Sequence, residues 1–318
     1  MENILENKIS TKHQGYILVI IAGILWSTTG LFAKNLMVRG ISTLQVAFIR
    51  LFLGAVLLFF YCIIKDKSLL KINKKTFIYC LVMGLICQAG FNTFYFTAVD
   101  KVGVSTGAIL LYTSPIFLTI LSKLVYKEII NAQKIITVVI CFVGSVLAVT
   151  GGGFKDLNIS GIGIILGILA AISYACMSII SKKVLEEANS ITILLYSFFM
   201  GVLFMIPISK PLEIIAHIKD MTILPYMIGL GTISAAGAYI CYIEGICKDI
   251  DLSIAGILAS GELIGSVILG WIVLKEEFLF IKMVGIILMI VSVVFSILNI
   301  EKLKKIFKKE VLEHEVSE

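Results

Sequence analysis

Ten uninterrupted apolar stretches, each about as long as a bilayer's hydrocarbon core is thick, decide what this chain can fold into. They run roughly 16–36, 43–64, 76–98, 104–125, 133–150, 161–181, 190–209, 223–246, 252–274 and 280–299. A helix rises about 1.5 Å per residue, so some ~20 apolar residues cross a core of about 30 Å. Ile, Val and Leu fill most of the runs and would favour strands in water. In lipid the backbone must satisfy its own polar groups, which leaves helices or closed barrels, and these runs have twice a barrel strand's length and no alternation. The expected fold is therefore an all-α integral membrane protein with ten transmembrane helices. Composition agrees: 59% of residues are hydrophobic and 15% charged, against roughly 45–50% apolar in soluble domains. The apolar run that opens at Gly15 is too long for a removable signal peptide.

A formal charge of +6 does not make a nucleic-acid binder, because the Lys and Arg sit in short loops between apolar runs and form no single basic face. They report orientation instead. With the N-terminus cytoplasmic, that side collects 18 lysines, among them Lys65, Lys67, Lys71, Lys74 and Lys75, then Lys123, Lys127, Lys134, Lys182 and Lys183, against eight Lys and Arg on the far side. The positive-inside rule then places both termini in the cytoplasm of a multi-pass plasma-membrane protein. All seven Cys lie in or beside apolar runs with no C-x-x-C, so they read as small hydrophobes, and neither a metal nor a cofactor is called for. The tail, 300–318, sets Leu303, Ile306, Phe307 and Val311 among lysines, as a helix lying on an anionic leaflet would.

The stretch Val102 to Glu128 returns 148 residues later as Ile250 to Glu276, with nine of 27 positions identical, Ser105/Ser253 and the terminal Lys127-Glu128/Lys275-Glu276 among them. The same offset pairs Trp26 with Tyr174, Lys34 with Lys182 and Phe91 with Tyr239. The chain therefore divides into a cytoplasmic tail, 1–15, a first five-helix repeat, 16–150, a Gly-rich linker, 151–160, a second five-helix repeat, 161–299, and the C-terminal tail. Five is odd, so the second repeat enters the membrane from the opposite side, and the two are related by an axis in the membrane plane.

The run Trp26-Ser-Thr-Thr-Gly-Leu-Phe-Ala-Lys34, with Arg50 in the second span, Pro115 then Glu128 after the fourth, and Gly261-Glu262 then Glu276 after the ninth, resembles EamA-type members of the drug/metabolite transporter superfamily. The resemblance covers about 15–299. It implies helices one to four and six to nine around a central cavity, five and ten at the periphery, and transport of small metabolites. The chain departs from that pattern at Ser27, where Gly is usual, and at Leu263, where Pro often follows the Glu and kinks the ninth helix.

Glu262, eleven positions into its span, is the sharpest candidate. An acid at the bilayer midplane costs about 2.5–3.5 kcal/mol on insertion scales and is a functional site by default. It would bind a substrate amine or a coupling proton, or else act as a hydrogen-bonded strut between helices. Arg50 reads either as a cation facing a carboxylate in an outer vestibule or as an anchor snorkelling to the interface. The aromatics Trp26, Tyr95, Tyr112, Tyr174 and Tyr239 sit mostly away from the span ends, where belt aromatics collect, and read either as substrate-site rings or as packing and lipid-facing side chains. Across the repeats, Ser114-Pro115 stands opposite Glu262-Leu263, a helix breaker opposite an acid.

No Walker A sequence, H-E-x-x-H or G-x-S-x-G is present, so neither ATP-driven transport nor catalysis is expected. The reading is a secondary transporter of small metabolites, with amino acids or related amine-bearing solutes the best candidates and export the direction the resemblance implies. A nucleoside, sugar or drug-like cation carrier is the alternative, and an integral membrane lipid enzyme a remote one. The small-molecule substrate, the lipid bilayer and a coupling proton are the partners considered; the sequence leaves the oligomeric state open.

Overall fold

Polar residues at the ends of the apolar runs start and stop each helix. Ser42, Asn73, Asn131, Ser160 and Asn189 accept from backbone amides at the starts of α3 (Thr43–Lys65), α4 (Lys74–Val82), α7 (Ala132–Thr150), α8 (Gly161–Val184) and α9 (Ser190–Ser209). Such side chains take up the amides a helix start leaves unpaired. Lys127 and Lys275 follow the ends of the fourth and ninth spans in the left-handed conformation, at matching places in the two copies.

The computed structural model describes residues 2–153, 160–217 and 220–298. Its remaining helices are α1 (Glu2–Ser27), α2 (Thr29–Met37), α5 (Phe91–Leu111), α6 (Ser114–Tyr126), α10 (Leu224–Gly229), α11 (Ala238–Ile246), α12 (Leu252–Ala259), α13 (Gly261–Ile272) and α14 (Phe280–Ile297), with π-helical segments at Met83–Gly90 and Leu230–Gly237. Nine helical stretches among the described residues are long and apolar enough to cross a membrane, and Ser114–Tyr126 is a shorter one. The tenth span is hidden by continuity. Gly103, at φ 81° and ψ 165°, kinks α5 where the third span ends and the fourth begins. The fold is thus ten transmembrane helices in two inverted five-helix repeats. Residues 299–318, with the amphipathic tail expected of them, and most of the linker lie outside the described residues.

Helix contacts are exchanged between the copies. The second span packs on the eighth (α3 on Leu230–Gly237) as the seventh packs on the third (α9 on Met83–Gly90), and the first packs on the ninth (α1 on α13) as the sixth packs on the fourth (α8 on α6). Only the fifth and tenth, α7 and α14, meet chiefly each other, at the edge of the bundle. There Gly144 and Gly285 let backbone touch backbone. A Cβ at Gly285 would stand 2.4 Å from the Ala148 nitrogen and 2.6 Å from the Gly144 oxygen. A Gly285→Leu substitution is therefore expected to cost about 1–3 kcal/mol through forced separation of the pair, read as a lower unfolding temperature in detergent, with solute flux lost only as the protein is lost.

Candidate functional site

Irregular backbone at membrane depth is tolerated only where it is buried in protein or lines a cavity. Five interruptions meet that condition here. The first span breaks between α1 and α2, the fourth between α5 and α6, the ninth between α12 and α13, and the third and eighth carry the π segments. The breaks in the fourth and ninth spans fall at the same repeat position, Tyr112 matching Ser260. Pro115 explains the first, as a residue that favours the first turn of a helix and terminates what precedes it. The second has no proline. Leu263 in place of proline puts a kink in doubt, yet the ninth span breaks there: Ser260 donates its hydroxyl back to the Gly256 carbonyl and the chain restarts at Gly261. Gly23 of α1 lies against this break, where an added Cβ would meet the Glu262 nitrogen at 3.2 Å and the Ala259 oxygen at 3.3 Å.

Glu262 therefore occupies the first turn of the half-helix α13, where a helix N-terminus favours negative charge. Its carboxylate accepts no hydrogen bond from another described residue and joins no ion pair within 4.0 Å, although Arg50 acts on it through space. Its own charge reaches Tyr95, Tyr112, Tyr174 and Tyr239. Glu262, Tyr95, Tyr112 and Tyr174 each keep part of their surface open even though protein surrounds them, as the lining of an internal cavity does.

The rings form a continuous wall. Trp26 meets Tyr239 edge-on at 5.2 Å and Tyr174 at 6.2 Å, and Phe91 bridges Tyr174 at 5.6 Å and Tyr95 at 5.9 Å. Such contacts hold each ring in one orientation. Tyr242 closes the wall, its hydroxyl 2.6 Å from that of Ser178.

Arg50 is turned inward. It donates to the Asn92 Oδ1 at 3.2 Å while Asn92 donates to the Gln88 carbonyl at 2.6 Å. The Arg50 Nε and both side-chain amide atoms of Gln88 are buried without a hydrogen-bond partner; Gln88 lies beside Tyr239 but out of hydrogen-bonding geometry. Thus Glu262, Arg50 and the four tyrosines come together with Trp26. Pro115 stands apart, buried against Gly256 of α12. The sequence reading missed Gln88 and Asn92, one helical turn apart in the third span and both fully buried. Two amides in an apolar run were the available signal.

Ten helices in two inverted repeats, with charge and broken backbone at mid-membrane, are the architecture of a membrane transporter. The chain belongs to the EamA-like transporter family, which matches residues 13–150 and again 161–298. It is 26% identical over 306 residues to an uncharacterized transporter of Clostridium kluyveri, spanning 92% of this chain and 94% of that one. It is 28% identical over 165 residues to the S-adenosylmethionine uptake transporter of Rickettsia prowazekii, spanning 52% of this chain and 54% of that one. A crystal structure superposes with a TM-score of 0.75 at 14% identity over 91% of this chain and 98% of the other, a likeness of fold.

Proposed function

We propose that this protein is a plasma-membrane secondary transporter of amino acids or closely related amine-bearing solutes, working by alternating access with both termini cytoplasmic and export as its working direction. One observation carries the reading: Glu262 at mid-span and Arg50 nearer the outer end of its helix, within each other's field but not paired, in an aromatic-lined interior. A zwitterion supplies a partner for each. Its ammonium meets Glu262 and the tyrosine faces, where cation–π attraction adds to the carboxylate; its carboxylate meets the Arg50 side, where Nε and the Gln88 amide await acceptors. A proton on Glu262 is the natural counter-substrate, since one carboxylate cannot serve an ammonium and a proton together.

A second reading has support from the same wall. S-adenosylmethionine, the substrate named for the Rickettsia relatives, carries an amino-acid end together with a sulfonium and an adenine, both of which suit aromatic faces. Counterflow in proteoliposomes tests both. Vesicles loaded with unlabelled neutral amino acids are expected to draw in labelled amino acid above equilibrium, with saturation. Counterflow by S-adenosylmethionine alone would replace the first reading with the second, and linear, unsaturable flux of either would remove carrier action altogether.

A further inference from the structure

The two repeats are alike in sequence where they are unlike in contact. At the end of the fourth span, Glu128 reaches across to the other repeat and caps α12. Its carboxylate accepts from the Leu252 nitrogen at 2.7 Å, the Ser253 nitrogen at 3.4 Å and the Ser253 hydroxyl at 2.9 Å. Lys134 backs it at 3.7 Å and pairs with Asp251 at 2.8 Å, and Lys182 donates to the Ile250 carbonyl at 3.3 Å.

Every part of this set except Asp251 has a counterpart 148 residues away: Glu276 for Glu128, Ser105 for Ser253, Val102 for Ile250, Lys282 for Lys134 and Lys34 for Lys182. The local backbone is copied too, with Glu276 donating to the Gly270 carbonyl as Glu128 donates to that of Ser122. Yet among the described residues no hydrogen bond joins Glu276 to Val104 or Ser105, or Lys34 to the Val102 carbonyl. Among the described residues the Glu276 carboxylate makes one ion pair, with Lys34 at 3.9 Å, and its side chain stays 44% exposed where that of Glu128 is 8% exposed. Lys282 joins no ion pair among the described residues. All eight residues of α12 are buried, whereas in the matching Val104–Leu111 only Gly107 is.

Other contacts between the repeats are made on both faces. Lys75 pairs with Glu187 on one and Arg39 with Asp220 on the other. Hydrogen bonds from Thr222 hold the Asp220 carboxyl below the usual carboxylate range.

We propose that Glu128 and Glu276 are two alternative latches, and that the transporter changes state by releasing Glu128 from Leu252 and Ser253 while Glu276 caps the amides of Val104 and Ser105 on the opposite face. In the structure the first latch is shut and the second open, which under the positive-inside orientation is the outward-open state. Gly103 supplies the hinge: at φ 81°, with nothing within 4 Å of an added Cβ, it has both the backbone freedom and the room to let Val104–Leu111 swing. In the swapped state Lys34 bonds the Val102 carbonyl as Lys182 now bonds that of Ile250. The proposal rests on the transporter fold and not on the substrate.

The test uses two register-matched reporters, Val104→Cys and Leu252→Cys, each in a Cys247→Ser background, in nanodiscs with a water-soluble maleimide. Val104 is 70% exposed and Leu252 fully buried, so the first should label fast and the second slowly. Glu128→Ala is expected to raise the Leu252→Cys rate and lower the Val104→Cys rate, each by about tenfold for the loss of a charge-assisted set of bonds; Glu276→Ala should move both the other way. Reciprocity is the requirement. Faster labelling at both sites, a change at one alone, or no change overturns the latch. Should Glu128→Ala fail to fold, Ser253→Ala, which keeps the carboxylate and loses one bond, must show the same opposed shifts at smaller size. Labelling needs no solute, so reciprocal rates with no amino-acid counterflow would remove the substrate assignment alone.

Discussion

Glu262→Gln is expected to reduce amino-acid flux about 10- to 100-fold while the folded protein stays at least as stable as before. The two halves of that statement separate function from structure. A hydrogen bond to a charged group is worth about 1.5–3 kcal/mol, and each ~1.4 kcal/mol is a factor of ten in an equilibrium, which sets the loss when a substrate ammonium meets an amide in place of a carboxylate. Stability moves the other way. The carboxylate takes no hydrogen bond from another described residue, so Gln breaks none, and it relieves the cost of holding a charge at mid-membrane. A strut between helices would give the reverse, a lower unfolding temperature with flux per folded molecule retained. The pH dependence is a further check: if Glu262 carries the coupling proton, the response of wild-type flux to a pH gradient disappears in Glu262→Gln, and Glu262→Asp, which keeps the titrating group, retains it. Unchanged flux and unchanged response to pH would take Glu262 out of the mechanism.

What the sequence disclosed of this site follows from what lipid forbids. A charged residue in an apolar run has few tolerable places, so Glu262 and Arg50 stood out by position alone, and an aromatic away from the belts is nearly as conspicuous. The ten spans and their inversion follow from run length and from an odd count per repeat. The turn at Gly103 is legible too, because the polar Asp100-Lys101 pair parts the third apolar run from the fourth, even though the helix runs on through it. Hydropathy is blind to the remainder. It cannot register the π segments, since residues around such a bulge keep their composition while the hydrogen-bond ladder shifts by one. The break at Ser260 escaped for a related reason: a Ser hydroxyl bonding back to the carbonyl four residues earlier, then a Gly, does without the ring what Pro115 does with it. Nor could one sequence disclose the state, because Glu128 and Glu276 are the same residue in the same local turn and only one of them caps the opposite repeat.

Arg50→Gln should abolish the preference for amino acids over the matching amines that lack a carboxylate. In the wild type the Arg50 Nε and the Gln88 amide lack partners in a buried place, and a site whose polar groups must be matched rejects a solute that leaves them bare far more strongly than an apolar pocket rejects a missing methylene. The wild type is thus expected to take the amino acid at least about 100-fold better than its decarboxylated analogue, by competition against labelled counterflow. With Gln at position 50 the amino acid loses that advantage while the amine, which never used the arginine, is carried about as before. The substitution also takes away the charge that acts on Glu262, and an acid left uncompensated at mid-membrane would itself depress stability and flux. The double variant Arg50→Gln/Glu262→Gln separates the two effects. If Arg50 serves chiefly to balance Glu262, the double variant unfolds at a higher temperature than Arg50→Gln and the two substitutions are strongly non-additive in stability. If it holds the substrate carboxylate, the preference stays abolished in the double variant whatever the stability does. An Arg50→Gln protein that still chose the amino acid over the amine would place the carboxylate elsewhere in the cavity and leave Arg50 as a structural partner of Asn92.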